Sequence, residues 1–253
     1  MSSKTESFYD NYHKQNLKNR KIITRNNVTY WHIIRLLEKV HQNIASKKVL
    51  DIGCGVGPLS FYLSNLGAFV LGIDVSARAI ALAKYTQLET RSDSVKFIHS
   101  SLSGTNDKSA PAVEIPSGFD LILCTEVIEH IADDKRLLED CHAKLKKGGA
   151  IVITTQRNDG LLYKMGFFKG HDVRAGHFRR YDPNKLIKLI EDSGFKILIQ
   201  QDADGLLRSI LYTTRLSFLL KFVKGPIIPL FQWLDAASIK IVGAADIQVV
   251  GIK

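Results

Sequence analysis

Three glycines and two acids form the first set of residues whose spacing suggests chemistry. Gly53, Gly55 and Gly57 follow an apolar run that contains Asp51, and Asp74 ends the next apolar run. Glycine lets the backbone approach a ligand more closely than a Cβ atom would allow. A carboxylate about twenty residues after such a loop suits a ribose diol. An acid beside the glycines also suits a cationic ligand.

The spacing of these glycines separates two classes of cofactor. A dinucleotide site requires G-x-G-x-x-G, with a helix N-terminus on the pyrophosphate. Gly57 comes one residue too early for that pattern. The glycine loop therefore does not match the pattern of a dinucleotide site.

A second set of residues contains two carboxylates and an imidazole. Glu126, Glu129 and His130 stand at i, i+3 and i+4, so on a helical turn they would share one face. Their convergence is costly without a positive charge, and this ligand set suits Mg²⁺, Mn²⁺, Co²⁺ or Zn²⁺. A further ligand could come from a later segment that contains His171 and His177. Without a metal, His130 or His177 would act as a general base, because imidazole titrates near neutral pH.

Strands that alternate with helices would bring both sets to one edge of a sheet. The alternation predicts an α/β fold with a mostly parallel sheet that is covered on both faces. Ligands bind beyond the carboxyl ends of such strands, where both sets lie. The predicted strands cover 48–52, 69–74, 95–99, 119–124, 150–155, 195–201 and 247–252, and the main predicted helices cover 8–45, 58–66, 77–89, 133–146 and 183–193.

The composition predicts one globular domain with a basic arm. The chain has 253 residues, is 45% hydrophobic and carries a net charge of +10. Residues 1–48 hold ten lysines and arginines against three acids. We predict a helical basic arm over 1–45 and a ligand-binding domain over 46–253. Such an arm can contact nucleic acid or an anionic membrane, or it can be a solvated helical face.

Targeting signals are not evident in the sequence. The N-terminus has no apolar core of a signal peptide, and the three cysteines show no C-x-x-C spacing. Both features predict a cytoplasmic location.

An apolar, basic insertion is predicted at about 205–240. Large apolar residues crowd its first half, and arginines and lysines interrupt them too often for a bilayer span. It could roof an apolar substrate pocket, lie on a membrane surface or pack as ordinary core.

The two motifs resemble those of a known enzyme family. The sequence D-I-G-C-G-V-G at 51–57 is similar to motif I of the class I S-adenosylmethionine-dependent methyltransferases. The sequence E-V-I-E-H at 126–130, with a histidine at 177, resembles the ubiquinone-biosynthesis O-methyltransferases. It is also similar to the small-RNA 2′-O-methyltransferases, in which the acids and histidines bind a divalent metal.

The resemblance implies a Rossmann-like seven-stranded sheet in the order 3-2-1-4-5-7-6, with strand seven antiparallel. It implies Glu126, Glu129, His130 and His177 as metal ligands, and His130 and His177 as catalytic candidates. Ser101 stands where the family usually has an acid that faces the adenine amine. The implied contacts of S-adenosylmethionine are Asp51, Gly53, Cys54, Gly55, Gly57, Asp74, Val75, Ser101, Leu102 and Thr125.

Three functions are compatible with these motifs. The first is O-methylation of a small catechol or diol, and the insertion makes a lipid-like acceptor and peripheral membrane contact reasonable expectations. The second is RNA ribose 2′-O-methylation, which is less favoured because no separate RNA-binding module is evident. The third is a non-catalytic subunit that binds S-adenosylmethionine, against which the intact motifs argue.

Overall fold

A seven-stranded sheet forms the centre of the molecule. The computed structural model describes residues 22–40, 43–102, 110–111, 113–223, 225 and 227–253. The strands are β1 (Lys48–Ile52), β2 (Phe69–Asp74), β3 (Val95–His99), β4 (Phe119–Thr125), β5 (Leu145–Gln156), β6 (Lys196–Ala203) and β7 (Asp246–Ile252). Their order is β3-β2-β1-β4-β5-β7-β6, and only β7 runs antiparallel to its neighbours. The predicted fold class and strand order are confirmed.

The central strands are apolar because helices cover both faces of the sheet. Every residue of β4 from Phe119 to Cys124 is buried. Successive side chains of a strand point to opposite faces. Val49 and Leu121 accordingly belong to one apolar cluster, while Leu50 and Ile122 belong to the other. This double burial fixes the strand ends from which the ligand-binding residues project.

The helices begin largely where the sequence predicts. They are α1 (Trp31–Val40), α2 (Pro58–Asn65), α3 (Ala77–Thr90), α4 (Asp134–Lys144), α5 (Leu161–Lys164), α6 (Lys169–Ala175), α7 (Pro183–Asp192), α8 (Leu206–Thr213) and α9 (Ile227–Val242). The Ser76 hydroxyl accepts a hydrogen bond from the Ala79 amide (3.1 Å), which caps α3 as predicted. Strand β5 begins at Leu145 rather than at Ala150, because Leu145 is buried and already pairs with Phe119.

The described part of the N-terminal arm packs on the domain. Helix α1 buries Ile34, Leu36 and Leu37 in the same apolar cluster as Val49. In the described part of the predicted helical segment 8–45, only Trp31–Val40 is helical, so the prediction is wrong for 22–30 and 43–45. Residues 1–21 and 41–42 of the predicted arm lie outside the described residues, so a basic arm over 1–45 stays a prediction.

The predicted insertion folds as α8, a 3₁₀ segment (Arg215–Phe222) and α9. Arg208 of α8 is fully buried, and its guanidinium donates to the Val28 carbonyl (2.8 Å) and to Gln232 Oε1 (2.8 Å). These bonds join the insertion to the segment before α1. None of the helices in the described ranges combines the length and apolar character that a bilayer span needs.

Candidate active site

A cavity of about 550 Å³ lies at the carboxyl ends of the central strands. Its glycine-loop half is formed by 51–55, Asp74, Val75 and 100–102. Its acid–histidine half is formed by the ends of β4, β5 and β6, the start of β7, and residues from α1, α6 and α8. All the predicted site residues line this cavity except Gly57. The sheet topology therefore brings the two sequence motifs together.

Backbone conformation shapes the glycine loop. Gly53 and Gly55 have φ angles of 66° and 56°, which favour glycine. A Cβ atom at Gly53 would collide with Val127. Gly57 lies outside the cavity lining, and a Cβ there would come within 2.6 Å of the Phe97 ring. The backbone at Gly57 therefore packs closely against β3 and does not contact the cavity.

Asp74 is fixed by backbone amides on both of its oxygens. Gly55 N donates to Oδ2 (2.8 Å) and Ser76 N donates to Oδ1 (2.8 Å). A carboxylate oxygen can accept more than one hydrogen bond. Asp74 can therefore hold a diol at the end of β2 without losing its place.

Asp51 is a buried acid at the same half of the cavity. Its side chain is 2% exposed and accepts a hydrogen bond from the Ser60 hydroxyl (2.5 Å). Burial raises the pKa of Asp51 to about 7, and the negative charge of Asp74 adds to this effect. A cation bound between these acids would favour the ionised carboxylate.

The other predicted residues of this half supply its walls. Val75, Ser101 and Leu102 line it, and the Val75 carbonyl is hydrogen-bonded to His99 Nε2 (2.9 Å). Cys54 and Thr125 also face the cavity.

Glu129, His130 and His177 converge in the acid–histidine half. One ligand atom from each lies within 4.8 Å of the others. Thr155 donates to Glu129 Oε2 (2.8 Å), whereas the fully buried Oε1 has no hydrogen-bond partner and lies 3.9 Å from His130 Nε2. Burial raises the pKa of Glu129 well above its usual value, and the charge of Glu126 adds to the shift. The trio offers one carboxylate and two imidazoles to a bound group.

Hydrogen bonds determine the tautomers of both histidines. His177 Nδ1 lies 3.0 Å from the Asp172 carboxylate, and His130 Nδ1 lies 3.3 Å from the Gly176 carbonyl. Both partners only accept, so each Nδ1 carries a proton, and Nε2 is the ring nitrogen that faces other groups. Burial lowers the pKa of His130 to about 4, so this ring is neutral at pH 7. Histidine ligands of metals commonly have this arrangement.

Asp172 of α6 is a positioning residue that the sequence analysis missed. It accepts from His177 and from Arg180, whose Nε and Nη2 lie 2.7–3.0 Å from its oxygens. Burial alone would raise the pKa of Asp172, but hydrogen bonds from His171, His177 and Arg180 outweigh it and hold the pKa far below its usual range. No periodic pattern marks Asp172, because the bond to His177 crosses the end of a short helix.

Glu126 lies apart from this trio. The predicted helical turn does not include it, since Glu126 has a φ of 55° and the 3₁₀ turn begins only at Ile128. It accepts from the Thr154 hydroxyl (2.7 Å) and from Gln156 Nε2. Its side chain is exposed to the cavity that it lines. The surrounding protein, with a contribution from Asp204, raises the pKa of Glu126 to about 7.

Two further acids, Asp204 and Asp246, lie near Glu126. They come from the end of β6 and the start of β7 and line the cavity, and Asp246 pairs across the sheet with Gln156, whose side chain donates to Glu126. Burial raises the pKa of both, and for Asp246 the charge of Glu126 is the next largest cause. The sequence analysis did not identify either acid, because neither belongs to a motif.

The insertion contributes polar groups to the cavity. Ser209, Tyr212 and Thr213 of α8 line it. The large apolar side chains of the 3₁₀ segment and α9 are mostly exposed instead, including Phe218 (54%), Phe222 (61%) and Trp233 (66%). The described part of the insertion therefore presents a polar wall to the cavity and an apolar surface outward.

Comparisons with known proteins find a matching family and similar sequences. A family model described as "Methyltransferase domain" matches residues 30–200. The chain is 36% identical over 123 residues to the ubiquinone biosynthesis O-methyltransferase of Azotobacter vinelandii, across 49% of this chain and 50% of that protein. It is 37% identical over 121 residues to the protein of the same name from Pseudomonas fluorescens (48% and 49%). The chain thus matches about half the length of these curated relatives.

Solved structures share the fold at low sequence identity. An S-adenosylmethionine-dependent methyltransferase from Mesorhizobium loti superimposes with a TM-score of 0.59 at 17% identity, over 87% of this chain and 97% of that one. Phosphoethanolamine N-methyltransferase 2 from Haemonchus contortus, in complex with S-adenosyl-L-methionine, gives 0.62 at 18% identity over 88% and 52%.

Proposed function

This chain belongs to the methyltransferase-domain family, and on that premise we propose that it transfers a methyl group from S-adenosylmethionine to a hydroxyl of a small catechol or other diol. The observation that carries the proposal is the trio of Glu129, His130 and His177 in the same cavity as the glycine loop. Methyl transfer is an in-line displacement, so the protein must mainly orient the acceptor and help to remove its proton.

The glycine-loop half is the proposed place of the cofactor. Asp74 would accept hydrogen bonds from the ribose diol, and Asp51 would favour the positive charge of the ligand through its electrostatic field. Ser101 and Leu102 would face the adenine, with the Ser101 hydroxyl in place of the usual acid. The acid–histidine half then remains for the acceptor.

A divalent cation fits the trio on two grounds. Glu129 Oε1 is buried without a partner, and both imidazoles have their Nδ1 protons engaged by acceptors. Glu129, His130 and His177 would hold the cation, which when bound lowers the pKa of a coordinated hydroxyl. Asp172 would orient His177, and the Gly176 carbonyl would orient His130.

His177 has two mutually exclusive roles at the same atom. If Nε2 holds a cation, it cannot accept a proton from the acceptor. If the trio holds no cation, Nε2 accepts that proton while Asp172 stabilises the imidazolium. The two roles predict opposite responses to metal removal, and we favour the cation because it also satisfies Glu129 Oε1.

The test is methyl transfer to 4-methylcatechol by protein shown to be metal-free by elemental analysis. We expect little turnover until Mg²⁺, Mn²⁺, Co²⁺ or Zn²⁺ is added. Asp172→Asn should weaken metal affinity by roughly 10- to 100-fold. Asp140→Asn is the control, because Asp140 pairs with Arg136 on α4, away from the cavity.

Full turnover by the metal-free protein would contradict the cation. In that case His177→Ala should abolish the acidic limb of the pH–rate profile, as expected for a general base. Methylation of a ribose oligonucleotide in place of the catechol would redirect the proposal to RNA. Cofactor binding without transfer to either acceptor would indicate a non-catalytic subunit.

We also propose that the protein contacts membranes peripherally through the apolar surface of its insertion. Phe218, Phe222 and Trp233 are exposed there, while the cavity wall that α8 supplies is polar. A lipid-like acceptor would then place its polar head in the cavity and its tail outside.

A further inference from the structure

Three carboxyl groups gather in the acid–histidine half without a dedicated positive partner. Glu126, Asp204 and Asp246, here named the acidic cluster, come from the ends of β4 and β6 and the start of β7. All three line the cavity, and Asp246 pairs across the sheet with Ala203, next to Asp204, and with Gln156, which donates to Glu126. Acids drawn together in a concave, protein-walled site favour a bound cation.

The guanidinium groups that face the acidic cluster are engaged by other acids. Among the described residues that line the cavity, Arg180 is the only arginine or lysine, and it is bonded to both oxygens of Asp172. Arg208 Nε lies 3.6 Å from Asp204 but 3.4 Å from Asp235, so its charge is shared. Glu126 and Asp246 therefore have no cation of their own among these groups.

Gln156 gives a second, independent indication of a ligand. Its side chain is 9% exposed, lines the cavity and donates through Nε2 to Glu126. Its Oε1 is buried and has no hydrogen-bond partner. The site thus offers carboxylate oxygens together with an amide oxygen that has no donor.

An ammonium group fits this set better than a metal does. It carries three donors and a positive charge, which match several acceptors at once. Asp204 also lies near His32 and Asp235, and these three residues have the spacing of metal ligands. However, Arg208 Nε lies 3.6 Å from Asp204 and 3.4 Å from Asp235. A guanidinium in that position disfavours a second cation there.

We propose that the acidic cluster binds an ammonium group of the methyl acceptor, so that the acceptor is a cationic amine that also carries the hydroxyl to be methylated. This inference rests on the proposed function and specifies its substrate class. The trio would hold the reacting oxygens while the acidic cluster fixes the other end of the molecule.

The test uses three catechols that differ in charge: dopamine (cationic), 4-methylcatechol (neutral) and 3,4-dihydroxybenzoate (anionic). Calorimetry on the full chain with S-adenosylhomocysteine measures binding, and methyl transfer from S-adenosylmethionine is measured separately. We expect dopamine to bind at least about tenfold more tightly than 4-methylcatechol, the scale of charge-assisted hydrogen bonds. The anionic catechol should bind most weakly.

Two variants assign the preference to the acidic cluster. Asp246→Asn and Glu126→Gln should each reduce the preference for dopamine to about twofold while leaving S-adenosylhomocysteine binding unchanged. Glu126→Gln keeps the proposal testable if Asp246→Asn fails to fold. Glu139→Gln is the matched control, because Glu139 is exposed on α4 and pairs with Lys135; it should keep the preference.

The outcomes separate this inference from the proposed function. Equal binding of dopamine and 4-methylcatechol, or a preference that survives both variants, would overturn the ammonium site even if both catechols are methylated. Loss of the dopamine preference when Mn²⁺ is added would overturn it in favour of a metal. A preference that the variants remove would support it, even if no catechol is methylated and the proposed function fails.

Discussion

The two halves of the cavity are built in different ways. The glycine-loop half takes its shape from adjacent stretches of backbone at the ends of β1 and β2, and the Asp74 carboxylate bonds directly to the Gly55 amide (2.8 Å). The acid–histidine half is assembled from side chains of many separate elements, which include the 3₁₀ turn Ile128–His130, α1, α6 and α8. One half is thus fixed by the sheet, whereas the other depends on how distant segments pack around it.

The halves also differ in how their polar atoms are satisfied. Both oxygens of Asp74 are hydrogen-bonded, and Asp51 is bonded to Ser60. In the other half, Glu129 Oε1 and Gln156 Oε1 are buried without partners. In the glycine-loop half, the hydrogen bonds of these acids are already made before a ligand binds. In the acid–histidine half, the unpartnered oxygens indicate donors or cations that a bound group must supply. Substitutions in the two halves should therefore have different effects on stability and on ligand binding.

The largest effect is expected from Gly53→Ala, which should strain the backbone of the glycine-loop half. Alanine at a φ of 66° is strained, and its Cβ would collide with Val127. We expect a loss of about 3 kcal/mol in the free energy of unfolding. Binding of S-adenosylmethionine should weaken at least a hundredfold in calorimetry.

Gly148→Ala is the control for Gly53→Ala. Gly148 has a φ of 75°, but a Cβ atom there would meet nothing within 4 Å, so only the backbone strain remains. It should cost roughly 1–2 kcal/mol of stability and leave cofactor affinity unchanged. Equal losses in both variants would mean that the close approach at Gly53 does not shape the loop.

This difference explains how much of the site can be predicted from the sequence. The glycine-loop half is contiguous with two apolar strands, so the types and spacing of Asp51, Gly53, Gly55 and Asp74 identify it. The sheet order follows from the strand–helix alternation together with the resemblance. The residue spacing is local information, and the strand order is a property of the whole fold, so both can be predicted from the sequence.

The acid–histidine half is harder to predict for a physical reason. Sequence spacing places Glu126 on a helical turn with Glu129, but its left-handed backbone directs the chain away before that turn begins. Asp204 and Asp246 reach the cavity, and Asp172 reaches His177, only through tertiary packing of α6 and the pairing of β6 with β7. Local sequence spacing does not predict these tertiary contacts. The apolar composition of the insertion likewise does not reveal that α8 turns polar side chains to the cavity.

A smaller effect is expected from Asp51→Asn, which tests the electrostatics of the glycine-loop half. Folding raises the pKa of Asp51 from 3.8 to about 7. Because the folded pKa is the higher one, this acid favours folding of the cofactor-free protein below about pH 4, and that stability is lost as pH rises through about 7. The variant should remove this loss, so its melting temperature should exceed that of the wild type at about pH 8.

Cofactor binding should respond in the opposite direction. Without the negative charge of Asp51, affinity for S-adenosylmethionine should fall about tenfold at about pH 8, and the difference from the wild type should shrink at about pH 5. Calorimetry at the two pH values, with melting curves of the same samples, measures both effects. A variant that binds as tightly as the wild type at the higher pH would show that Asp51 has only a structural role.

The smallest effect concerns the outward surface beside the acid–histidine half. If the exposed apolar side chains of the insertion contact membranes, the protein should co-sediment with phosphatidylglycerol vesicles, and high salt should weaken this binding. Replacing Phe222 and Trp233 together by serine should reduce vesicle binding roughly tenfold, because two aromatic side chains would no longer enter the interface.

Leu88→Ser is the control, since Leu88 is 78% exposed on α3. Neither substitution touches the cavity lining, so cofactor affinity should stay unchanged in both. Equal vesicle binding by all three proteins would mean that the apolar surface has another partner, and that the acceptor reaches the polar cavity from water.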